Sequence, residues 1–171
     1  MFGENRYILH AHLYHGQQLM KTLVLGIGNL LMGDEGVGIH IVRYLQENHI
    51  LPGIDIVDGG TGGFHLLEYF QNYKRVILVD ATMDGRPPGA LIIIKPKYSS
   101  DYPQTLTAHD IGLKDLLDAL YLLDKQPEII LFAVSISNLE GLKLELSKKL
   151  QPAVKNVANE IIKFLNDSTA N

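Results

Sequence analysis

Residues 21–40 read KTLVLGIGNLLMGDEGVGIH. Thr22–Leu25 is a short apolar run, the length of a buried strand. Gly26-Ile27-Gly28-Asn29 ends it with turn-forming residues. Val37–Leu45 then carries apolar residues at helical spacing. Between them lies Gly33-Asp34-Glu35-Gly36, an acidic pair set between glycines. A strand, a turn and a helix, with carboxylates in the turn, put negative charge outside the carboxyl end of a strand. Open α/β sheets build their sites there.

The rest of the chain repeats this alternation. Helix one is expected over Glu35–Asn48, with Asp34 as its N-cap and Ile39, Ile41, Val42 and Leu45 as its buried stripe. Ile54–Val57 reads as strand two. Asp58-Gly59-Gly60-Thr61-Gly62-Gly63 follows, then a short helix over Phe64–Phe70 with Leu66 and Leu67 turned inward. Arg75–Val79 is strand three, a continuous apolar run suited to cover on both faces, and it ends on Asp80. Ala90–Ile94 is strand four. No helix fits between strands three and four, so strand four is expected to run antiparallel. Helical spacing returns over Asp110–Leu123, and strand five follows at Ile129–Val134. Residues 135–144 read as loop. A last helix is expected over Ser147–Leu165, where Pro152 should delay the first regular turn or kink it. This order predicts a single three-layer α/β domain over residues 21–171. Its sheet has five strands, mostly parallel with one antiparallel, and helices on both faces. Residues 1–20 read as an N-terminal extension.

Bulk composition narrows the function. The 171 residues suffice for one real core. Hydrophobic residues at 46% and charged residues at 20% indicate a globular chain. The formal charge of −4, with no basic block, gives no electrostatic case for nucleic acid or an anionic membrane. No apolar run is long enough to span a bilayer, and His10, His12 and His15 interrupt any signal-peptide core. Cysteine is absent, which excludes disulfides, thiolate metal sites and cysteine nucleophiles. A cytoplasmic location fits that absence.

Three chemistries compete for the polar residues. Gly26-Ile27-Gly28 with Asp58 suggests a nucleotide- or cofactor-binding module, but Leu31 stands where the third glycine of the fingerprint belongs. Serine chemistry is poorly supported: no Gly-x-Ser-x-Gly occurs, and nothing marks a partner for Ser135 or Ser137. The third pattern is one of acids at strand ends. Glu35 follows strand one, Asp58 follows strand two and Asp80 closes strand three. His109 stands where an irregular loop becomes a helix. That loop leaves strand four at the far edge, and its roughly dozen residues at ~3.3 Å each allow it to return across the top. Two carboxylates and an imidazole make an open three-ligand set, with room for water or a substrate group. Structural roles stand beside these. Glu35 can favour the positive end of helix one, Asp58 can bond the amides of its own turn, and His109 can cap or pack. Asp80, directly after four apolar residues, is costly to bury unpaired, which favours function. His40, His49 and His65 read as ordinary helix residues.

LVLGIGNLLMGDEGVG, DGGTGG, VILVDA and AHDIGL together resemble the motifs of the nickel–iron hydrogenase maturation proteases. The resemblance runs from Lys21 to Leu165. It implies a hydrolase, a metal-dependent endopeptidase of aspartic or metallo type. The implied substrate is the hydrogenase large-subunit precursor after nickel insertion, from which a C-terminal peptide is removed. It also implies that Glu35, Asp80 and His109 are the catalytic and metal-binding trio, and that Asp58, with Gly59, Gly60 and Thr61, meets substrate. The implied metal is divalent and most simply nickel, supplied by the substrate; zinc or another divalent ion is the alternative. Glu35 is the carboxylate expected to act as general base. Many members carry a serine near the histidine, whereas this chain reads Thr107-Ala108-His109, which leaves the ligand intact. The first 20 residues have no counterpart in the family.

Overall fold

A computed structural model describes residues 22–96, 101–102, 110–122, 127–137 and 141–169. The extension over residues 1–20 and His109 lie outside the described residues. Among the described residues five strands form one sheet: β1 (Thr22–Gly26), β2 (Ile54–Asp58), β3 (Arg75–Thr82), β4 (Leu91–Ile94) and β5 (Glu128–Ser135), in the order β2-β1-β3-β5-β4. All neighbours are parallel except β4 and β5, which run antiparallel. Four α-helices among the described residues accompany them: α1 (Val37–Asn48), α2 (Leu67–Asn72), α3 (Asp110–Leu122) and α4 (Gln151–Thr169). The expected α/β class is the one observed.

Side-chain alternation along the central strands divides the core in two. Val24, Ile77, Val79, Ile130, Phe132 and Val134 pack under α1 and α4. Leu23, Leu25, Val76, Leu78, Ile129 and Leu131 pack under α2 and α3. Strands covered on both sides must be apolar at every position, which is why they read as unbroken runs. The expected stripe of Ile39, Ile41, Val42 and Leu45 is buried. Thr22 opens β1 at the amino end of the sheet. From the segment bonded to Leu31 and Gly33, α4 runs back along the sheet, where Phe164 meets Phe132 and lies under Lys95 just after antiparallel β4, so Thr169 lies towards the amino ends as well. Among the described residues no helix is long and apolar enough to cross a membrane.

Several boundaries differ from expectation for identifiable reasons. Helix one begins as a 3₁₀ turn, Gly33–Gly36, before α1 proper. Asp34 is not its N-cap: neither segment has a side-chain cap, and Asp34 Oδ1 instead accepts the backbone N–H of Ser147 at 2.6 Å. Strand three does not stop at Asp80, because pairing with β5 carries it on through Ala81 to Thr82. The stretch expected as loop over 135–144 begins inside β5 and contains a parallel bridge between Met32 and Lys143. Pro152 falls in the first turn of α4, where its missing N–H needs no partner, and the helix starts four residues later than Ser147.

Candidate active site

The site begins with a reversal in strand order. From β1 the chain moves outward to β2, then crosses back to place β3 on the other side of β1. Loops leaving β1 and β3 therefore diverge, and a crevice opens at their carboxyl ends. β1 stops at Gly26, opposite Val79. Asp80 is thus the first residue of β3 beyond its β1 neighbour, while on the other side it still pairs with Ala133.

Backbone bonds hold this edge together. Ile27 N–H donates to Val79 O at 3.0 Å, Gly28 N–H to Gly60 O at 2.9 Å, and Gly59 N–H to Gly26 O at 2.8 Å. Two glycines let the next layer press down on it. A Cβ on Gly38, in the first turn of α1, would stand 2.3 Å from Val79 O and 2.4 Å from Ile27 O. A Cβ on Gly28 would meet Glu35 O at 2.1 Å, and Gly28 has φ of +148°, which side chains disfavour. The 3₁₀ turn carrying Glu35 consequently lies against the start of α1 and packs on β3.

Glu35 is 1% exposed and Asp80 2%. The structure thus brings these two predicted acids, from separate segments, to one strand-end crevice and removes both from water. Asp80 Oδ1 also accepts the N–H of Ala81 at 2.7 Å, which fixes the carboxylate against its own strand. Asp80 shares a strand face with Val76 and Leu78, the face covered by α2 and α3. Since α3 rejoins β5 across residues 123–127 and packs near the 3₁₀ turn Phe64–Leu66 that follows β2, its first turn lies on the carboxyl-end side. Asp110 opens that helix. Among the described residues no three His, Asp or Glu side chains are grouped to hold a metal ion, and the predicted third ligand, His109, is outside them.

Asp58 has a structural role. Its Oδ1 accepts Gly60 N–H at 3.0 Å, and its Oδ2 accepts Arg43 Nε at 3.0 Å and Nη2 at 2.8 Å. The DGGTGG turn is thereby pinned to α1 and, through Gly59 and Gly60, to the loop after β1. Thr61 stands exposed at its tip. The amides of Ile27 and Gly28, which a phosphate would need, are engaged in these same bonds. That weighs against a nucleotide module built on Gly26 and Gly28.

Sequence reasoning missed Arg43, Ser147 and Gly38. Nothing in the sequence marks the first two as partners of Asp58 and Asp34. Gly38 carried a usable signal, because glycine inside a helical pattern often marks a close backbone approach. His40, two residues on, is held below the ordinary imidazole range by burial and by the Arg43 charge one turn away.

Comparison with known proteins completes the description. Residues 39–164 match the family model for hydrogenase maturation protease. The hydrogenase 2 maturation protease of Escherichia coli K12 is 34% identical over 145 residues, covering 81% of this chain and 88% of that protein. The hydrogenase expression/formation protein HoxM of Azotobacter vinelandii is 33% identical, over 79% of this chain and 69% of its own. Among solved structures, the hydrogenase maturating endopeptidase HybD from E. coli superposes with a TM-score of 0.77 at 30% identity, covering 87% of this chain and 94% of that one. The [NiFe] hydrogenase maturation protease HybD from Thermococcus kodakarensis gives a TM-score of 0.70 at 27% identity, covering 85% and 99%. With fold and sequence agreeing over most of its length, the chain belongs to the hydrogenase maturation protease family.

Proposed function

We propose that this protein is an endopeptidase that removes a C-terminal peptide from the nickel-loaded large-subunit precursor of a nickel–iron hydrogenase, in the cytoplasm. The observation that carries the reading is the near-complete burial of Glu35, on a turn that packs on β3, and of Asp80, on β3 itself, in a fold shared with proteases of this family. His109 directly precedes Asp110, the first residue of a helix that begins on the same side of the sheet. Two carboxylate oxygens and an imidazole nitrogen suit nickel, and equally zinc, manganese or iron. Glu35, Asp80 and His109 are the residues that would hold the ion, most simply the nickel already in the precursor. When bound, such an ion polarises a carbonyl and lowers the pKa of a nearby water.

The chain's own groups do the rest. Asp80, fixed by the Ala81 N–H, presents its carboxylate from a rigid strand rather than a loop. Glu35 sits on a short turn and serves as the general base that takes a proton from the attacking water. Asp58, with Gly59, Gly60 and Thr61, forms the wall along which the substrate chain lies. The test is incubation of the purified protein with nickel-loaded precursor, with the products weighed by mass spectrometry. Loss of one C-terminal peptide is expected. Glu35→Gln, Asp80→Asn and His109→Ala should each stop that loss while leaving circular dichroism unchanged. An intact precursor with the wild-type protein overturns the activity, and normal trimming by the variants overturns the trio.

A further inference from the structure

Large apolar side chains exposed on the described surface are scattered, with one concentration. Ile50 lies in the connection after α1, Ile93 on β4 and Leu122 at the end of α3. Leu31, Leu142 and Leu144 instead gather around the Met32–Lys143 bridge, at 55%, 85% and 68% exposure. Their backbone is bonded directly to the turn that carries Glu35. Lys143 N–H donates to Leu31 O at 2.8 Å and Gly33 N–H to Lys143 O at 2.6 Å. Asp34 then grips Ser147 N–H from the far side of the same segment. Beyond Leu144 the surface sinks into a groove of about 420 Å³ between α1 and α4, lined by His40, Tyr44, Leu146 and Lys155.

We propose that Leu31, Leu142 and Leu144 form a docking strip for an extended, apolar segment of the protein substrate, and that this segment continues into the α1–α4 groove. The proposal rests on the protease reading above. The occupant follows from position. A polypeptide reaching Glu35 must lie over the carboxyl-end edge, and among the described residues the strip is the apolar part of that edge, continuous through Met32 and Gly33 with the turn of Glu35. Exposed leucines in one patch are unfavourable unless something covers them. The polar groove lining of His40, Tyr44 and Lys155 adds hydrogen-bonding groups for the backbone and polar side chains of that segment. This contact is made away from the cut bond and contributes affinity for the whole substrate.

The test compares Leu142→Asp/Leu144→Asp with Ile50→Asp/Leu122→Asp, a control pair at least as exposed but off the strip. Initial trimming rates are measured against precursor concentration. The strip pair should raise KM about tenfold or more, the scale expected for central apolar contacts, and the control pair should stay within about twofold of wild type. An unchanged KM for the strip pair, or an equal rise for both pairs, overturns the strip. So does a strip pair that only turns a dimer into a monomer by light scattering, which would assign the patch to a second copy. If the wild-type protein leaves the precursor uncut, the protease reading falls, and biolayer interferometry on the same proteins decides the strip. Precursor binding that the strip pair loses keeps the proposal, and no precursor binding by wild type ends it.

Discussion

Replacing Gly38 by alanine sets two opposed effects against each other. Alanine favours a helix interior over glycine by about 1 kcal/mol. The added methyl, however, would lie 2.3 Å from Val79 O and 2.4 Å from Ile27 O. Both are backbone oxygens, and they cannot rotate aside as a side-chain tip would. Restoring ordinary contact needs α1 to lift by about 1 Å, and overpacking of this kind costs about 1–3 kcal/mol, or more where nothing yields. With two immovable oxygens the upper end applies, so Gly38→Ala should lose about 2 kcal/mol net. At a urea slope near 2 kcal/mol/M that lowers the midpoint by about 1 M. Activity should fall further than stability. On the proposed function, lifting α1 moves the Glu35 turn relative to Asp80, and a displacement near 1 Å between groups that act together can cost on the order of 100-fold. Equilibrium urea unfolding and precursor trimming measure the two effects. A midpoint equal to or above wild type would refute the close-approach reasoning.

Asp34→Ala leaves Ser147 N–H without its charged acceptor and should cost about 1.5–3 kcal/mol, seen as a thermal midpoint lowered by roughly 3–10 °C. It should also raise KM for precursor, since the same bond seats the segment bearing Leu142 and Leu144. Asp58→Ala removes a partly exposed ion pair and one turn amide bond. Exposed pairs contribute little, so stability should fall by only about 1 kcal/mol in urea unfolding. His40 has a folded pKa below its ordinary 6.5. The unfolded chain therefore binds the proton more readily, and the contribution of His40 to stability, complete above pH 6.5, is lost as pH drops below that value. Thermal midpoints of His40→Gln should decline less than wild type between pH 6.5 and 5.5.

The fold was legible wherever burial dictates a pattern. Arg75–Val79 could be read as a parallel strand covered on both faces because such cover leaves its interior no polar position, and Ile129–Val134 as a strand by the same apolar run. The antiparallel turn of β4 followed from the short connection before it. The acids could be placed at strand ends, because a carboxylate after an apolar strand is conspicuous. Long-range polar partnerships were not legible. Asp34 looked like a cap because helix starts commonly use one, yet its partner lies 113 residues away at Ser147. Asp58 could be read as bonding its own turn, while the arginine that grips it from α1 left no local trace. Strand ends were misjudged where pairing overrides the run of side chains: β3 continues past Asp80 because β5 goes on supplying backbone partners.

The direction of the outer segments has a practical corollary. Thr22 enters the sheet at one pole and α4 returns Thr169 to that same pole, while Glu35, Asp80 and the leucine strip occupy the opposite one. A fluorophore or surface tether joined at Thr22 or Thr169 is thus attached on the side of the sheet away from the Glu35 and Asp80 crevice. Immobilised by that attachment, the protein would turn its Glu35 and Asp80 edge outward to the solution.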